Sequence, residues 1–285
     1  GALPRSVDTE RPPCDNGGVK RRVEEGLAVW NQWDLGHKQT AVWTFPERRM
    51  YIERVEQEWH VLSVAGGENA AAASRTFIER ARKPASSEWR HYLSRESGPV
   101  RPQPVLPDRA IVAKPDRSLT LLAGESAQFF LEIPVWFRMN VGERLVQVFE
   151  EPIAVMSNTW FGDPVNGELC YVLATRLHQG MSSIVPTAWR AVCPMAVTND
   201  SATNLAFERI CLHVQNLAVF RGDDRLWTNA LSVLFRGAEQ ASHIQVSSGP
   251  PGFEAGLAPA APARQPAESW DIRKTFSRFR EFADF

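Results

Sequence analysis

The sequence predicts a mostly β protein centred on an immunoglobulin-like antiparallel β-sandwich, and three observations favour this fold class. Across residues 110–247, runs rich in β-branched and aromatic residues alternate with turn signals about every ten residues, as in a sandwich or barrel. The flanking segments are richer in Pro, Ala and Gly. The last segment carries aromatic residues at helical spacing. We therefore expect a central β domain with smaller elements on both sides.

The N-terminal part of the chain divides into a tail and a β unit. Residues 1–17 are polar and include Pro12 and Pro13, so we expect a disordered start. Residues 18–65 open with a short helical pattern that Gly26 interrupts, and apolar residues then recur at near two-residue spacing. That spacing predicts an N-terminal β unit of two or three antiparallel strands.

The next segment, residues 66–109, predicts a helical and Pro-rich connector. An Ala run and two short helical patterns are followed by several prolines. Ser86 or Ser87 would cap the helix that carries Trp89 and Tyr92. We expect this connector to lie on the surface, outside the core.

Residues 110–247 form the predicted sandwich domain, with about nine short strands. Within it, Arg221–Asp224 includes Arg-Gly-Asp, the tripeptide by which extracellular proteins engage integrins. The tripeptide falls between a strand that ends at Phe220 and one that begins at Leu226, and Gly-Asp suits a hairpin connection. We predict a turn, because adhesion would also require an exported chain.

The C-terminal part predicts a linker and a helix. Residues 248–267 are rich in Pro, Ala and Gly, which is typical of a flexible linker. Residues 268–285 predict an amphipathic helix in which Trp270, Phe276 and Phe279 are candidates for docking. The helix could dock onto this chain's own β domain, or onto a protein partner or a second subunit.

Composition narrows the possible functions. The 285 residues include 32 basic and 33 acidic side chains, and a net charge of −1 gives no sign of nucleic-acid binding. No apolar run reaches the roughly 18 residues that cross a bilayer, and the N-terminus lacks the pattern of a signal peptide. Four cysteines without a CxxC pair indicate reduced thiols. We therefore predict a cytoplasmic protein without a transmembrane segment.

No familiar catalytic motif is present in the sequence. It contains no phosphate-cradling glycine loop, no HExxH and no Ser-His-Asp spacing of a known kind. We therefore predict no cofactor and favour a binding protein over an enzyme.

The most suggestive loop lies between two predicted strands and holds aromatic and polar residues together. Trp160 and Phe161 are close to Asp163 and Glu168. An exposed ring beside carboxylates is the composition of a sugar-binding or peptide-binding platform. Alternatively, Trp160 folds back to close the end of the sandwich and Asp163 caps the turn.

A carboxylate in the predicted sandwich is a further candidate. Glu208 is in register with Ile210, so strand alternation would point it inward. A buried carboxylate needs a cation or donors, and Arg176 or Arg190 from adjacent strands could supply them. The pair could be a structural ion pair, or Glu208 and Arg176 could bind a ligand in a cleft.

The same strand suggests a metal site. Cys211 and His213 alternate onto one face, opposite to Ile210, and zinc accepts sulfur and nitrogen ligands of this kind. His178 or Cys170 from a neighbouring strand could complete the set. The alternative is a surface histidine beside a half-buried cysteine.

Three stretches carry a family resemblance: TWFGDPVNGELCYVLATRLH, AVCPMAVTNDSATNLAFERICLHVQNLAVFRGDDRLWTN and TFSRFREF. Together they resemble the bacterial and archaeal family called domain of unknown function 432, over residues 43–285. The resemblance implies no activity, cofactor or catalytic residue. Members look to be encoded near small-conductance mechanosensitive channels in some genomes, which implies a functional link to a membrane channel and an accessory role.

Three functions of different classes remain open from the sequence. The favoured one is a non-enzymatic binding or accessory module that recognises a protein partner. The alternatives are a β-sandwich that binds a small ligand or carbohydrate through the Trp160 loop, and a metal-binding protein that uses Cys211 and His213.

Overall fold

The protein is mostly β, with no helix of seven or more residues in the part of the chain that the structure describes. The structure is a computed structural model, and it describes the following residues: 23–66, 74–78, 84, 86, 88–96, 98–115, 117–162, 164–237, 240–266 and 268–272. The helical segments found there are short 3₁₀ turns, at Gly26–Trp30, Met181–Ser183 and Val214–Asn216. None of the described helices is long and apolar enough to cross a membrane.

The first six strands form one antiparallel sheet. They are β1 (Val23–Glu25), β2 (Thr40–Thr44), β3 (Arg48–Val55), β4 (Glu58–Ala65), β5 (Ser74–Ile78) and β6 (Arg90–Leu93). Their order in the sheet is β1-β5-β2-β3-β4-β6. Strands β2, β3 and β4 lie where the apolar alternation predicts antiparallel strands, because a half-buried strand alternates its side chains between core and solvent.

The helix predicted in the connector is wrong at Trp89 and Tyr92. Tyr92 lies in β6, which pairs with the edge of the N-terminal sheet along β4. The Tyr92 ring stacks on Phe149, with 6.1 Å between ring centroids. Backbone pairing and this ring contact override the local helical pattern, because intrinsic propensity is a weak determinant beside tertiary packing.

The other seventeen strands form three more sheets. They are β7 (Val100–Val105), β8 (Ile111–Pro115), β9 (Leu119–Leu121), β10 (Ser126–Pro134), β11 (Trp136–Val141), β12 (Val146–Pro152), β13 (Ser157–Phe161), β14 (Glu168–His178), β15 (Arg190–Asn199), β16 (Leu205–Phe207), β17 (Ile210–Leu212), β18 (Val219–Arg221), β19 (Leu226–Thr228), β20 (Leu231–Phe235), β21 (Ser242–Val246), β22 (Ala258–Ala261) and β23 (Ser269–Ile272). The largest sheet has twelve strands, and two small sheets have the orders β12-β11-β7 and β16-β9.

The large sheet is mixed, and the immunoglobulin-like arrangement is not confirmed. Its main path runs β17-β8-β14-β10-β15-β19-β18-β22. The pairs β8/β14, β15/β19 and β15/β20 are parallel, whereas the sequence predicts a purely antiparallel sandwich. Pro194 lies within β15, in the gap along that strand between its pairings with β19 and β20. Proline has no backbone N–H to donate, so it is tolerated in this gap, where neither β19 nor β20 is paired with it.

A continuous hydrophobic core joins the N-terminal sheet to the rest of the molecule. The Phe137 ring of β11 lies 5.4 Å from Trp43 and 5.8 Å from Trp30, centroid to centroid. Trp30 also donates a hydrogen bond from Nε1 to the Ala188 carbonyl oxygen at 2.7 Å. Large buried aromatic rings dominate core energetics, so the two parts of the chain stabilise each other.

The C-terminal part differs from the predicted linker and helix where it is described. Strand β22 lies within the predicted flexible linker and pairs with β18. Strand β23 pairs with β21 and places Trp270 opposite Ile244, so residues 269–272 are strand and not the start of a helix. Phe276, Phe279 and the predicted tail at residues 1–17 lie outside the described residues.

The Arg-Gly-Asp tripeptide lies at the predicted hairpin. Strands β18 and β19 pair antiparallel, and Gly222 N–H donates to the Arg225 carbonyl oxygen at 2.9 Å across the turn. A Cβ atom at Gly222 would lie 2.4 Å from the Glu254 carboxylate, so a larger residue would displace Glu254 from its hydrogen bonds with the Asp223 N–H and Trp227 Nε1. Arg221 donates to Asn31 Oδ1 at 2.6 Å. The fold itself therefore uses these residues.

Candidate metal centre

A cluster of sulfur, nitrogen and oxygen donors lies at one edge of the large sheet. Glu168 is the first residue of β14, Cys211 is the middle residue of β17, and His213 follows that strand directly. Strand β8 lies between these two strands, and its Val112 is paired with Cys211 on one side and Val172 on the other. The sheet thus brings together residues that are 43 positions apart in the chain. We call Glu168, Cys211 and His213 the thiol site.

The ligand atoms of the thiol site face one another at short range. His213 Nε2 lies 3.0 Å from each of the two carboxylate oxygens of Glu168. The Cys211 thiol donates to Glu168 Oε1, with 3.4 Å between Sγ and oxygen. One donor atom from each of the three residues lies within 4.8 Å of the others. A second thiol touches the site, since Cys170 Sγ is 3.6 Å from Cys211 Sγ.

These contacts set the ionisation of the site. The hydrogen bond with His213 holds the pKa of Glu168 below its ordinary value, against the opposing effect of partial burial. The contact with Cys170, followed by burial, raises the pKa of the Cys211 thiol. Without a metal ion, the site therefore consists of a carboxylate and a protonated thiol.

The floor of the site is a small hydrophobic cluster, separate from the main core. It consists of Ala110, Val112, Phe161, Cys170 and Cys211. Phe161 is the cross-strand neighbour of Glu168 in the β13/β14 pair, which places both side chains on one face of the sheet. The Arg209 guanidinium lies 5.2 Å from the centroid of the Phe161 ring.

The other side of the site is open to solvent. The side chains of Glu168 and His213 are 41% and 25% exposed, whereas Cys211 is fully buried. An ion can therefore reach the donors from solvent while the thiol holds it against a dry floor.

The sequence predicts part of this site correctly and part of it wrongly. Cys211 and Ile210 do lie on opposite faces, because Ile210 belongs to the main core and Cys211 to the small cluster. Of the two residues proposed to complete the metal set, Cys170 lies beside Cys211. His178 instead lies 3.5 Å from a carboxylate oxygen of Glu132.

The predicted aromatic loop and the predicted metal site prove to be neighbours. Phe161 and Glu168 belong to the floor and the ligand set, respectively. Trp160 is 48% exposed and lies opposite Leu169, on the other face of the β13/β14 pair. It therefore does not close the end of a sandwich. Asp163 lies outside the described residues.

The predicted inward position of Glu208 is not observed. Glu208 is half-buried because it falls in the break between β16 and β17, where strand alternation does not apply. Arg190 lies 3.8 Å from a carboxylate oxygen of Glu132. The side chain of Arg176 lies outside the described residues.

A second cluster of possible ligands was missed by the sequence reasoning. Glu58 and His60 lie on β4, and His91 is paired with His60 from β6. Glu58 Oε2 lies 2.8 Å from His60 Nε2 and 3.7 Å from His91 Nδ1. The only signal in the sequence is the two-residue spacing of Glu58 and His60, which places both on one strand face. We call these three residues the histidine cluster.

A wide cavity lies away from both clusters. It has a volume of about 1040 Å³ and is bordered by Asn229, Ser247 and Glu268. The Asn229 side chain is engaged on both ends, donating to the Ser247 and Gly249 carbonyl oxygens and accepting from the Ala218 N–H. The Asn229 side chain thus supports the fold, whereas the thiol site brings together side chains that can bind a metal ion.

Comparisons with known proteins give a family without a described activity. A family model described as a protein of unknown function (DUF432) matches residues 29–281. No curated protein and no solved structure matches the chain.

Proposed function

The chain belongs to the domain of unknown function 432 family, and because that family brings no activity with it, we propose from geometry that the protein binds a zinc-type metal ion. The ligands are Glu168, Cys211 and His213. The observation that carries this proposal is the convergence of a thiol, an imidazole and a carboxylate within 4.8 Å of one another.

The donor types fit zinc better than the other common metal ions of proteins. Thiolate and imidazole ligands favour zinc and other soft or borderline ions, while Mg²⁺ and Ca²⁺ prefer oxygen ligands. One sulfur, one nitrogen and one carboxylate are all ligands found in zinc sites.

The distances also fit a tetrahedral ion with little movement. With Zn–S about 2.3 Å and Zn–N or Zn–O about 2.1 Å, the edges of a tetrahedron are about 3.6 Å for S–O and 3.4 Å for N–O. The corresponding distances are 3.4 Å for Cys211 to Glu168 and 3.0 Å for His213 to Glu168. An ion would need to separate these two pairs of atoms by only a few tenths of an ångström, and the third pair, Cys211 Sγ and His213 Nε2, lies within 4.8 Å.

Three protein ligands leave one position of a tetrahedron open, and the exposed side of the site faces solvent. Structural zinc sites have four protein ligands, whereas sites that bind water or a substrate keep a position free. Cys170 approaches from the buried floor, where its sulfur lies 3.6 Å from Cys211 Sγ and donates to the backbone carbonyl oxygen of Glu168 at 3.6 Å. We assign it the role of a neighbour that shields the metal-bound thiolate.

Elemental analysis of the purified full chain tests the proposal. We expect about one zinc ion per chain for the wild type, and strong loss of zinc in Cys211→Ser and His213→Gln. Cys170→Ala should retain the metal if this residue is a neighbour, and should lose it if the residue is a fourth ligand.

The matched control is Cys193→Ala. Cys193 is also a buried free thiol, and burial raises its pKa to about 12, but it lies in the main core. The control should keep its zinc. A wild-type chain that neither contains zinc nor takes it up from a buffered zinc solution would show the proposal to be wrong.

The other functions expected from the sequence stay predictions. A partner-binding role of the C-terminal segment depends on Phe276 and Phe279, which lie outside the described residues. Ligand binding at Trp160 is compatible with its exposure. The link to a membrane channel rests on the family resemblance.

A further inference from the structure

A second cavity lies where the N-terminal sheet, the β12-β11-β7 sheet and the large sheet meet. It has a volume of about 270 Å³. Arg48 comes from the start of β3, Trp136 from the start of β11, and Asn158 and Tyr171 from the β13/β14 pair. Arg109, which lies just before β8, also lines the cavity. Ligand sites occur preferentially at such junctions. We call this cavity the arginine pocket.

The arginine pocket is lined by two guanidinium groups and by no carboxylate. The Arg48 side chain makes no hydrogen bond or ion pair with any residue that the structure describes, and its Nε is buried. Arg109 donates only a long hydrogen bond, 3.5 Å to Asn158 Oδ1, and lies over the Tyr171 ring at 5.4 Å. Arginine stays charged at any physiological pH, so the pocket keeps two positive charges.

Acidic side chains flank the pocket without pairing with its two arginines. Asp108 accepts a hydrogen bond from the Tyr171 hydroxyl at 2.9 Å. Glu47 accepts the Val155 backbone N–H at 2.9 Å. Glu150 pairs with Arg138 and Arg264, and not with the arginines of the pocket. Among the described residues none of these carboxylates forms an ion pair with Arg48 or Arg109, so both guanidinium groups are available to pair with the oxyanion of a ligand.

The rest of the wall is aromatic and apolar. The Trp136 and Tyr171 rings lie 6.5 Å apart, centroid to centroid, and Trp136 Nε1 is a buried donor without an acceptor among the described residues. Buried donors are normally paired, so an unpaired indole N–H beside an unpaired arginine is a site where an acceptor is missing. Apolar walls with a few placed polar groups are the composition of a small-molecule site.

We propose that the arginine pocket binds a small organic anion, in which an oxyanion is attached to a planar apolar group. A carboxylate pairs with the guanidinium of Arg48 or Arg109 by parallel hydrogen bonds, and the planar group packs against Trp136 and Tyr171. The volume falls below the roughly 300–1,000 Å³ of pockets for drug-sized ligands, so the ligand is small. This site is distinct from the thiol site and does not depend on metal.

Isothermal titration of the full chain with three probes tests the chemistry. We expect benzoate to bind, and we expect both benzamide, which lacks the charge, and inorganic phosphate, which lacks the ring, to bind at least ten times more weakly. Equal binding of benzamide would overturn the role of the arginines. Equal binding of phosphate would overturn the role of the aromatic wall, and a lack of saturable benzoate binding would overturn the site.

Variants locate the binding in the protein. Arg48→Gln and Arg109→Gln should each weaken benzoate binding at least tenfold, while Arg144→Gln should not change it. Arg144 is a suitable control because it is 84% exposed and follows the end of β11 that is remote from Trp136. Circular dichroism checks that each variant is folded. If one of the two arginine variants does not fold, benzoate binding by the other variant tests the proposal. Unchanged benzoate binding in a folded variant would contradict the proposal.

The metal-independence of the pocket separates this proposal from the preceding one. Benzoate binding should be the same in Cys211→Ser and in the presence of EDTA. If it disappears in both, the carboxylate binds to a metal ion and the arginine pocket is not its site.

Discussion

The thiol site and the histidine cluster contain similar ligand types but are built differently. The thiol site draws its residues from two strands separated by a third, and its donors converge over a buried hydrophobic floor. In the histidine cluster, His60 and His91 are direct cross-strand neighbours whose rings stack with centroids 4.0 Å apart and planes 20° apart. Each of the stacked rings presents a nitrogen to Glu58 Oε2, His60 Nε2 at 2.8 Å and His91 Nδ1 at 3.7 Å.

The two clusters also differ in how far their side chains are exposed to solvent. Glu58 and His91 have side chains that are 46% and 56% exposed, so water satisfies them without an ion. The Cys211 thiol is buried, and its sulfur contacts Glu168 and Cys170. We therefore predict that closeness of ligand atoms is not sufficient for a metal site. The buried thiol of Cys211 is the feature that distinguishes the thiol site from the histidine cluster.

The largest effect that we expect to distinguish the two clusters is a loss of zinc affinity. Changing a residue behind a metal ligand typically costs 10–100-fold in affinity, so loss of the ligand itself in Cys211→Ser should cost at least about 100-fold. The matched change His60→Ala in the other cluster should leave zinc affinity within a factor of about two. Competition with a chelator of known affinity measures both. A similar loss in the two variants would contradict the distinction between the clusters.

Stabilisation by zinc is the next largest effect. A ligand that binds only the folded protein adds about 2.7 kcal/mol to the free energy of unfolding when its concentration is 100 times the dissociation constant. Zinc should therefore raise the melting temperature of the wild type and of His60→Ala, and EDTA should reverse the rise. Differential scanning calorimetry of Cys211→Ser provides the contrast, because a rise that persists in this variant would place the stabilising ion elsewhere.

Local patterns in the sequence predict the faces of the strands but not their partners. The alternation around Cys211 predicts correctly that Ile210 and Cys211 lie on opposite faces, since it depends only on the two-residue period of a strand. The contact between Glu168 and Cys211 depends on which strands flank β8. Parallel pairing of β8 with β14 joins segments that are distant in the chain, and no turn between them fixes their register.

The arginine pocket illustrates the same limit. Arg48 and Trp136 lie on strands of two different sheets and Arg109 just precedes β8 of a third, and nothing in their sequence neighbourhoods indicates that they meet. Similarly, Tyr92 follows a helical pattern locally, yet pairing of β6 with β4 makes it part of a strand. Composition does predict the mostly β fold, because β-branched and aromatic residues fit a pleated, half-buried surface wherever their partners lie.

The pH dependence of the histidine cluster should give the smallest effect. The hydrogen bond with His60 holds the pKa of Glu58 below its ordinary value of 4.5. The folded protein therefore binds the proton less readily than the unfolded chain does. The resulting stabilisation is fully present above the unfolded pKa and is lost as the pH falls through the lower, folded pKa.

Thermal melts of the wild type and Glu58→Gln at pH 6 and at pH 3 measure this contribution. The wild type should be the more stable of the two at pH 6, and the difference should shrink as the pH is lowered towards 3, because protonation of the Glu58 carboxylate weakens its hydrogen bond with His60. Glu53, His60 and His91 are the titratable groups that face Glu58 or its partner, so His60→Ala should abolish the pH dependence of the difference. Glu125→Gln, at an exposed glutamate, supplies the control. A difference that grows towards pH 3 would show that His60 does not hold Glu58 in its charged form.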